Sequence, residues 1–461
     1  MCYYNRMLSW LKRFWDVRTR DPQPASVPVV IPRSEHPVSR KNISANAVKV
    51  MYRLKDAGYE AYLVGGGVRD LLLGREPKDF DVATNATPER VRELFRNCRL
   101  IGRRFRLAHV YFRGEIIEVA TFRGHHGDGG KGEGEVRNGM VVRDNVYGTL
   151  EEDAVRRDFT VNALYYNIQD YSIVDYTGGL DDLRMGVLRL IGDPRQRYRE
   201  DPVRMLRAVR FAAKLGFRME KETEAVLMEL GELLTGVPPA RLFDEMLKMF
   251  LGGQAVATFE LMRRYGQFGI LFPQTEKALE REEDGFPITF LLHAMENTDR
   301  RIAEQKPVTP AFLYAALLWE PVRQLARELE VEGMSRIQSL QVAGDRVLER
   351  QRRIISIPRR FTLQMREIWA AQERLTQRTG KRVYRILSHP RFRASYDFLL
   401  LRAQSGEVEP ELGEWWTRFQ GADEQQRQEM LAKLKGTGQR SRSRRRRPRK
   451  RQAARPNPAT P

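Results

Sequence analysis

Between Glu60 and Ile168 the chain carries short β-branched and aromatic runs, several with a polar residue at every second position, broken by Gly and Asn. They are EAYLVGG (Glu60–Gly66), KDFDVAT (Lys78–Thr84), LAHVYF (Leu107–Phe112), EIIEVATF (Glu115–Phe122) and NALYYNI (Asn162–Ile168). This pattern predicts strands. A helix is predicted before them over SANAVKVMYRLKDAG (Ser44–Gly58), with Ser44 as N-cap and Val48, Met51 and Leu54 at helical spacing. Another runs from Pro88 to Phe95. From LDDLRMGVLRLIG (Leu180–Gly192) onward the period changes to that of helices, which continue to about Leu434. The best bounded is EDPVRMLRAVRFAAKLGF (Glu200–Phe217), with Asp201 as N-cap, Pro202 at the first helical position and a stop at Gly216.

The expectation is an α+β chain, a mixed-sheet head followed by an all-α region, without a fixed-period repeat. Its parts are a basic extension and Pro-containing linker over 1–40, a head over 41–178, a helical neck over 179–250, a helical body over 251–435 and a tail over 436–461.

Charge adds a partner to this outline. Eighty Lys and Arg against sixty Asp and Glu give +20, a field suited to a polyanion, either nucleic acid or an anionic membrane. Between Arg440 and Arg455 stand ten Lys or Arg and no acid, half of the net charge, so that tail is expected to be a disordered polycation. Cys2 and Cys98 are the only cysteines, which excludes a disulfide framework or a cysteine zinc site and fits a reducing cytoplasm. The apolar run AFLYAALLW (Ala311–Trp319) is too short to cross a bilayer. The N-terminus lacks the apolar core of a signal peptide, although Leu8, Leu11, Phe14 and Trp15 could line a short basic amphipathic helix and allow loose membrane contact without stable insertion.

Chemistry enters with YLVGGGVRDLLLG (Tyr62–Gly74) and KDFDV (Lys78–Val82). In the first, an apolar strand runs into three glycines and a helix, so backbone N–H groups can approach phosphate oxygens. Arg69 in the first turn adds a charged donor. In the second, alternation puts Asp79 and Asp81 on one strand face, an arrangement that invites a divalent cation such as Mg²⁺. Glu118, between Ile117 and Val119, is a candidate third carboxylate from another strand. A dinucleotide fingerprint fails because Asp70 stands where a third Gly is needed, and a P-loop fails for want of Gly-Lys-Ser/Thr. Triphosphate and metals side by side is the arrangement of two-metal nucleotidyl transfer. His125 and His126, in a Gly-rich loop with five glycines between Gly127 and Gly134, lack a third ligand at metal spacing and are expected in a mobile loop.

GGGVRD followed by KDFDV resembles the nucleotide-binding signature of the DNA polymerase β-type nucleotidyltransferases, in the class that groups bacterial poly(A) polymerases with CCA-adding enzymes. RRDFTVNAL (Arg156–Leu164) resembles the motif completing the ATP site, and EDPVRMLRAVRFA the neck-helix motif. The likeness runs from about Ser44 past Pro239 and more weakly through KRVYRILSHPRFRASYDFLLLRA (Lys381–Ala403). It implies that Gly65, Gly66 and Arg69 hold the triphosphate, with Arg157 beside it, and that Asp79 and Asp81 bind two Mg²⁺ ions. Asp158 falls on a position the family counts among its active-site carboxylates, so the third carboxylate is Glu118 by geometry or Asp158 by likeness.

The likeness also has Asp201 and Arg204 read the adenine edge, with Arg207 and Arg210 orienting them or contacting phosphate. LIGRRFRLAHV (Leu100–Val110) resembles the stretch that marks the poly(A) polymerases. Arg103, Arg104 and Arg106 there, and Arg444, Arg445, Arg446 and Arg447 in the tail, are the expected RNA contacts, with RNA binding also expected of the neck (179–250), which recognises the nucleotide base, and of the body (251–435). The expected activity is ATP-dependent, template-independent adenylyl transfer to RNA 3′ ends, promoting RNA turnover in the cytoplasm with RNA-decay proteins as partners. CCA addition to tRNA, and a catalytically inactive RNA-binding protein, are the alternatives.

Overall fold

The computed structural model describes residues 27–102, 105–124, 131–137, 140–283, 286–287 and 289–443. The described chain divides into two compact units at Leu271/Phe272. In the first unit, besides a small parallel pair of two-residue strands (Val187–Leu188 with Arg218–Met219), the strands are β1 (Val29–Ile31), β2 (Ala61–Val64), β3 (Asp81–Thr84), β4 (Cys98–Ile101), β5 (Leu107–Phe112), β6 (Glu115–Thr121), β7 (Lys131–Arg137), β8 (Met140–Tyr147), β9 (Leu164–Asn167) and β10 (Ile173–Asp175). Eight of them form one sheet in the order β1-β10-β9-β2-β3-β6-β5-β4. Only β3 and β6 run parallel; every other neighbouring pair in this sheet is antiparallel.

The helices of this unit are α1 (Ala45–Asp56), α2 (Gly66–Leu72), α3 (Pro88–Leu94), α4 (Leu150–Arg156), α5 (Gly179–Met185), α6 (Pro194–Glu200), α7 (Val203–Leu215), α8 (Lys221–Ala225), α9 (Pro239–Phe250), α10 (Ala255–Arg264) and α11 (Gln267–Leu271). Helix α1 packs on β2, β3 and β6, and α3 on β4, β5 and β6. The stripe Ala47, Val50, Met51 and Leu54 of α1 is fully buried, and the Ser44 hydroxyl caps the helix by accepting from Asn46 N. Val64, Ala83, Phe122, Tyr165, Leu150 and Ala154 form a separate apolar cluster that brings α4 to the sheet. Asp81 lies two residues before Ala83 and therefore shares its face.

Helix α7 begins at Val203 with Pro202 as N-cap, one residue later than expected, Asp201 closing α6 instead. The structure departs further from the predicted elements in four places. Val29–Ile31, expected within a linker, is an edge strand on β10; a β-branched triplet between Pro28 and Pro32 suits an edge, where missing N–H donors cost little. Strand β3 begins at Asp81, not at Lys78, because β2 ends at Val64, opposite Asp81, and Gly65 then turns the chain with φ +72°. Residues 131–134 of the expected loop belong to the β7–β8 hairpin, whose ladder supplies partners that the glycines cannot supply by packing. Finally, the last helix continues to Ser443, into the segment expected to be disordered from 436; elongation from a formed helix costs far less than nucleation.

Among its described residues the second unit is almost wholly helical: α12 (Pro273–Leu279), α13 (Phe290–Ala303), α14 (Pro310–Leu317), α15 (Trp319–Val331), α16 (Arg336–Ile354), α17 (Arg359–Leu375), α18 (Arg382–Leu387), α19 (Phe392–Gln404), α20 (Pro410–Gly421) and α21 (Glu424–Ser443). Three of its buried indoles find an acceptor: Trp369 Nε1 donates to Ala315 O, Trp416 Nε1 to Leu375 O and Trp319 Nε1 to Glu407. Satisfied N–H groups let these large rings fill the core without an orphaned donor. No described helix is long and apolar enough to cross a membrane.

Candidate active site

Parallel pairing of β3 with β6 sets Asp81 directly beside Glu118. Both project from the same side of the sheet as Val64, after which Gly65 begins the glycine turn. Burial pushes the Asp81 carboxyl up to about 6, with Glu118 and Asp79 adding like charge and Arg157 opposing them. Across the next antiparallel pair, His109 Nε2 stands 3.2 Å from Glu118 Oε2 and restricts that carboxylate's rotation. Sequence reasoning missed His109. The signal was present in LAHVYF, where alternation puts it on one face with Ala108 and Val110 on the other.

Among the described residues no group of three or more His, Cys, Asp or Glu is preassembled around a metal position. The arrangement is two carboxylates side by side with a third, Asp79, exposed just before the strand. That set fits Mg²⁺, which takes few protein carboxylates and completes its shell with water and substrate phosphate. The charge crowding that lifts Asp81 is what a bound cation would relieve.

At Gly65 a Cβ would find Arg157 Nη1 as its nearest neighbour, at 3.5 Å. Arg157 therefore stands beside the glycine turn, near enough to Asp81 to act on its charge. Its Nε donates to Asp153 Oδ2 (3.1 Å) and Tyr165 Oη (2.9 Å), and Tyr165 in turn donates to Asp153 Oδ2 at 2.7 Å. Burial alone would lower the pKa of this guanidinium; Tyr165 and Asp153 outweigh it and raise it above the usual arginine range. Asp153 is itself held below the ordinary carboxylate range, burial notwithstanding, by Arg157 and Arg123.

Arg69 sits elsewhere than beside an open cleft. Only 2% exposed, it donates from Nε and Nη2 to Asp70 Oδ1 (2.8 and 2.6 Å) and from Nη1 to Asn162 Oδ1 (2.6 Å). Asn162 Nδ2 then donates to Asp158 Oδ1 (3.2 Å), and Arg207 Nε donates to Asp158 Oδ2 (2.7 Å). This chain ties the turn after β2 to α7. Burial would raise the Asp158 pKa, but Arg207 draws it well below the ordinary range.

The α7 stripe is likewise partnered. Arg241 forks onto Asp201 (2.8 and 2.7 Å); Arg204 Nη1 donates to Arg197 O (2.7 Å) and Glu200 Oε2 (3.1 Å); Arg210 pairs with Glu245 at 2.9 Å. Asp201 and Arg204 are thus held by separate partners. Arg241, Glu200, Asn162 and Asp153 were not singled out in the sequence; each is ordinary in its own run and acquires its partner only through packing.

Gly66 opens α2, beside Arg69 Nη2. Arg106 donates to Glu89 (2.8 Å) from an exposed position. Arg103, Arg104, Arg444, Arg445, Arg446, Arg447, His125 and His126, with the N-terminal apolar residues Leu8, Leu11, Phe14 and Trp15, lie outside the described residues.

Three family models match the chain: "Poly A polymerase head domain" over 61–189, "Probable RNA and SrmB- binding site of polymerase A" over 216–279, and "Polymerase A arginine-rich C-terminus" over 332–451. Over 413 residues the chain is 50% identical to poly(A) polymerase I of Salmonella typhimurium, covering 88% of each chain. A CCA-adding enzyme of Lactobacillus helveticus is 39% identical over 220 residues, 48% of this chain and 53% of that one. Among solved structures, a tRNA nucleotidyltransferase complexed with a primer tRNA and an incoming ATP analog is similar with a TM-score of 0.53 at 26% identity, over 85% of this chain and 99% of that one.

Proposed function

The chain belongs to the poly(A) polymerase family of nucleotidyltransferases, and from that premise we propose that Asp81, Glu118 and Asp79 form its catalytic carboxylate set beside the Gly65 turn. The enzyme adds adenylate to RNA 3′ ends without a template, using ATP and a divalent metal. The observation that carries the carboxylate assignment is the register of β3 on β6, which puts Asp81 and Glu118 side by side at the sheet position where β2 gives way to the glycine turn.

In this reading Asp79, Asp81 and Glu118 would hold two Mg²⁺ ions, whose charge would acidify the RNA 3′-hydroxyl and offset that of the departing pyrophosphate. The backbone of Gly65 and Gly66 admits the triphosphate, and Arg157, kept charged and fixed by Asp153 and Tyr165, faces the phosphate charge from beside Gly65. Arg69 acts one step back: through Asn162 it braces the turn against α7. Asp158 is a positioning residue, since its carboxylate is taken up by Arg207, Asn162 and the Phe159 N–H. Asp201 and Arg204 present acceptor and donor groups to the adenine edge from positions fixed by Arg241 and Glu200, and a mismatched base would leave buried polar groups unpaired. RNA phosphates are taken by the arginines of 99–106 and of the tail. Action in the cytoplasm alongside RNA-decay proteins completes the proposal.

All four NTPs, offered with a generic RNA and with a tRNA lacking its terminus, test the activity. Long A tails on generic RNA are expected. Incorporation of C that stops after three additions on tRNA would reassign the chain to CCA addition, and no incorporation at all would make it an inactive RNA-binding protein.

A further inference from the structure

Helix α4 stops at Arg156, which leaves its last carbonyls without intrahelical partners. A side chain from α6 takes up two of the carbonyls at this end. Arg197 Nη2 donates to Arg156 O and to Arg157 O, both at 2.7 Å. Its Nη1 donates to Glu200 Oε2 at 2.8 Å. The same glutamate oxygen accepts from Arg204 Nη1 at 3.1 Å, and Arg204 Nη1 also donates to the Arg197 carbonyl at 2.7 Å.

The Arg197 side chain is only 12% exposed. Burial, with Arg204 adding like charge, pushes its guanidinium down to about 10, so it meets the carbonyl end of α4 as a cation at neutral pH. Helix α6 is itself fixed. Asp193 caps it by accepting from Gln196 N at 2.8 Å, and the buried Tyr198 donates its hydroxyl to Thr223 O at 3.2 Å.

Both ends of this clasp reach groups with a part in the proposed function. Arg157, whose carbonyl is held, faces the phosphate charge from beside Gly65. Arg204, which shares Glu200, reads the base. Asp158, the next residue along, is held from α7 by Arg207 at 2.7 Å, so residues 156–158 are gripped from α6 and α7 together. Arg197 and Arg204 compete for one Glu200 oxygen. A base that engages Arg204 leaves that oxygen to Arg197, which fixes the guanidinium plane and with it the hold on the Arg156 and Arg157 carbonyls.

We propose that Arg197 is a positioning residue that couples recognition of the base at Arg204 to engagement of the triphosphate at Arg157, so that the choice of nucleotide is expressed in kcat as well as in KM. The proposal rests on Arg204 reading the base and Arg157 meeting the triphosphate. It adds the link between them.

The test is a double-mutant cycle on the full chain with saturating generic RNA. Arg204→Ala, Arg157→Lys and the pair are each made with Arg197 present and with Arg197→Met. For every variant kcat and KM are measured with ATP and with GTP, and a melting curve verifies folding. With Arg197 present the losses in kcat/KM for ATP should be non-additive, the double variant retaining about tenfold more activity than the product of the singles predicts. With Arg197→Met they should multiply to within about twofold. Arg197→Met alone should lower kcat for ATP about tenfold, towards the value for GTP. Tripolyphosphate, which carries no base, should still inhibit within about twofold of its constant for the unaltered chain, because Asp153 and Tyr165 continue to hold Arg157. Arg197→Lys keeps the charge without the planar fork that reaches two carbonyls and Glu200. It covers the case in which methionine unfolds the chain, and it too should lose most of the coupling.

Non-additivity that survives both substitutions overturns the proposal. So does inhibition by tripolyphosphate that weakens by the same factor as the use of ATP, since Arg197 would then only support the fold. A distinct result is Arg204→Ala leaving the choice of ATP over GTP unchanged: that removes the base-reading assignment itself, and the coupling falls with it.

Discussion

Asp81 sets the behaviour of the site at the residue scale, because the fold makes its carboxylate expensive to ionise. Burial, Glu118 and Asp79 hold it up at about 6 against an ordinary 3.8. A folded-state pKa raised in this way contributes stability that is fully present below about 3.8 and lost as pH rises through about 6. In metal-free protein Asp81→Asn should therefore melt higher than the parent at pH 7.5, with the gap closing as pH falls toward 4. A gain of several degrees is expected, at about 2–4 °C per kcal/mol for a unit of this size. Adding Mg²⁺ should raise the melting temperature of the parent and not of the variant, whose adenylyl transfer falls by at least about a hundredfold. Calorimetry at the two pH values, with and without Mg²⁺, checks both halves. A variant less stable than the parent at pH 7.5 would show that Asp81 is not held in a repulsive cluster.

The glycine turn and α7 are where elements hold the chemistry in place. Gly65 has φ +72°, and a Cβ there would also approach Arg157 Nη1, so Gly65→Ala should raise KM for ATP about tenfold and cost about 1 kcal/mol of stability or more. At Gly67 a Cβ meets ordinary van der Waals neighbours at 3.5 Å or beyond; Gly67→Ala should leave KM within about twofold. On α7, Arg204→Ala should relax the choice of ATP over other nucleotides with the fold intact. Arg207→Ala strands a buried Asp158 and should cost about 3 kcal/mol. The Asp158 pKa is depressed, so the stability it contributes is present at neutral pH and lost as pH falls below about 4. A nucleotide panel and denaturation curves for the two variants separate these outcomes.

The same elements show what could be read beforehand. Alternation marked Asp81 and Glu118 as same-face groups on two strands, and Ser44 and Gly216 bounded their helices as expected. Alternation could not say that β6 would lie next to β3 with Asp81 opposite Glu118, nor that β2 would end and free Asp79 from the ladder. Partner choice was equally hidden: Arg241 for Asp201, Asn162 for Arg69 and Arg207 for Asp158 stand 40 or more residues apart in sequence. Such pairs follow from packing of whole elements, and no local period encodes them.

At the scale of the whole molecule, affinity for RNA is set less by the site than by the distribution of charge. Ten Lys or Arg between Arg440 and Arg455 carry half of the +20, and the remaining +10 is spread over the rest of the chain. Contacts to phosphate supply binding without sequence information, and each one released shows in the salt dependence. Deleting Arg440–Pro461 should therefore weaken RNA binding and flatten log K against log salt by roughly 3 to 4 if half of the ten cations engage a single strand. The carboxylate set and the glycine turn lie in the first unit, so kcat on saturating RNA should persist. The truncated chain would then need more RNA, or less salt, to reach the same rate. A salt slope equal to that of the full chain would mean that the tail's cations do not touch RNA, and a fall in kcat at saturation would give the tail a part in the chemistry that its composition does not suggest.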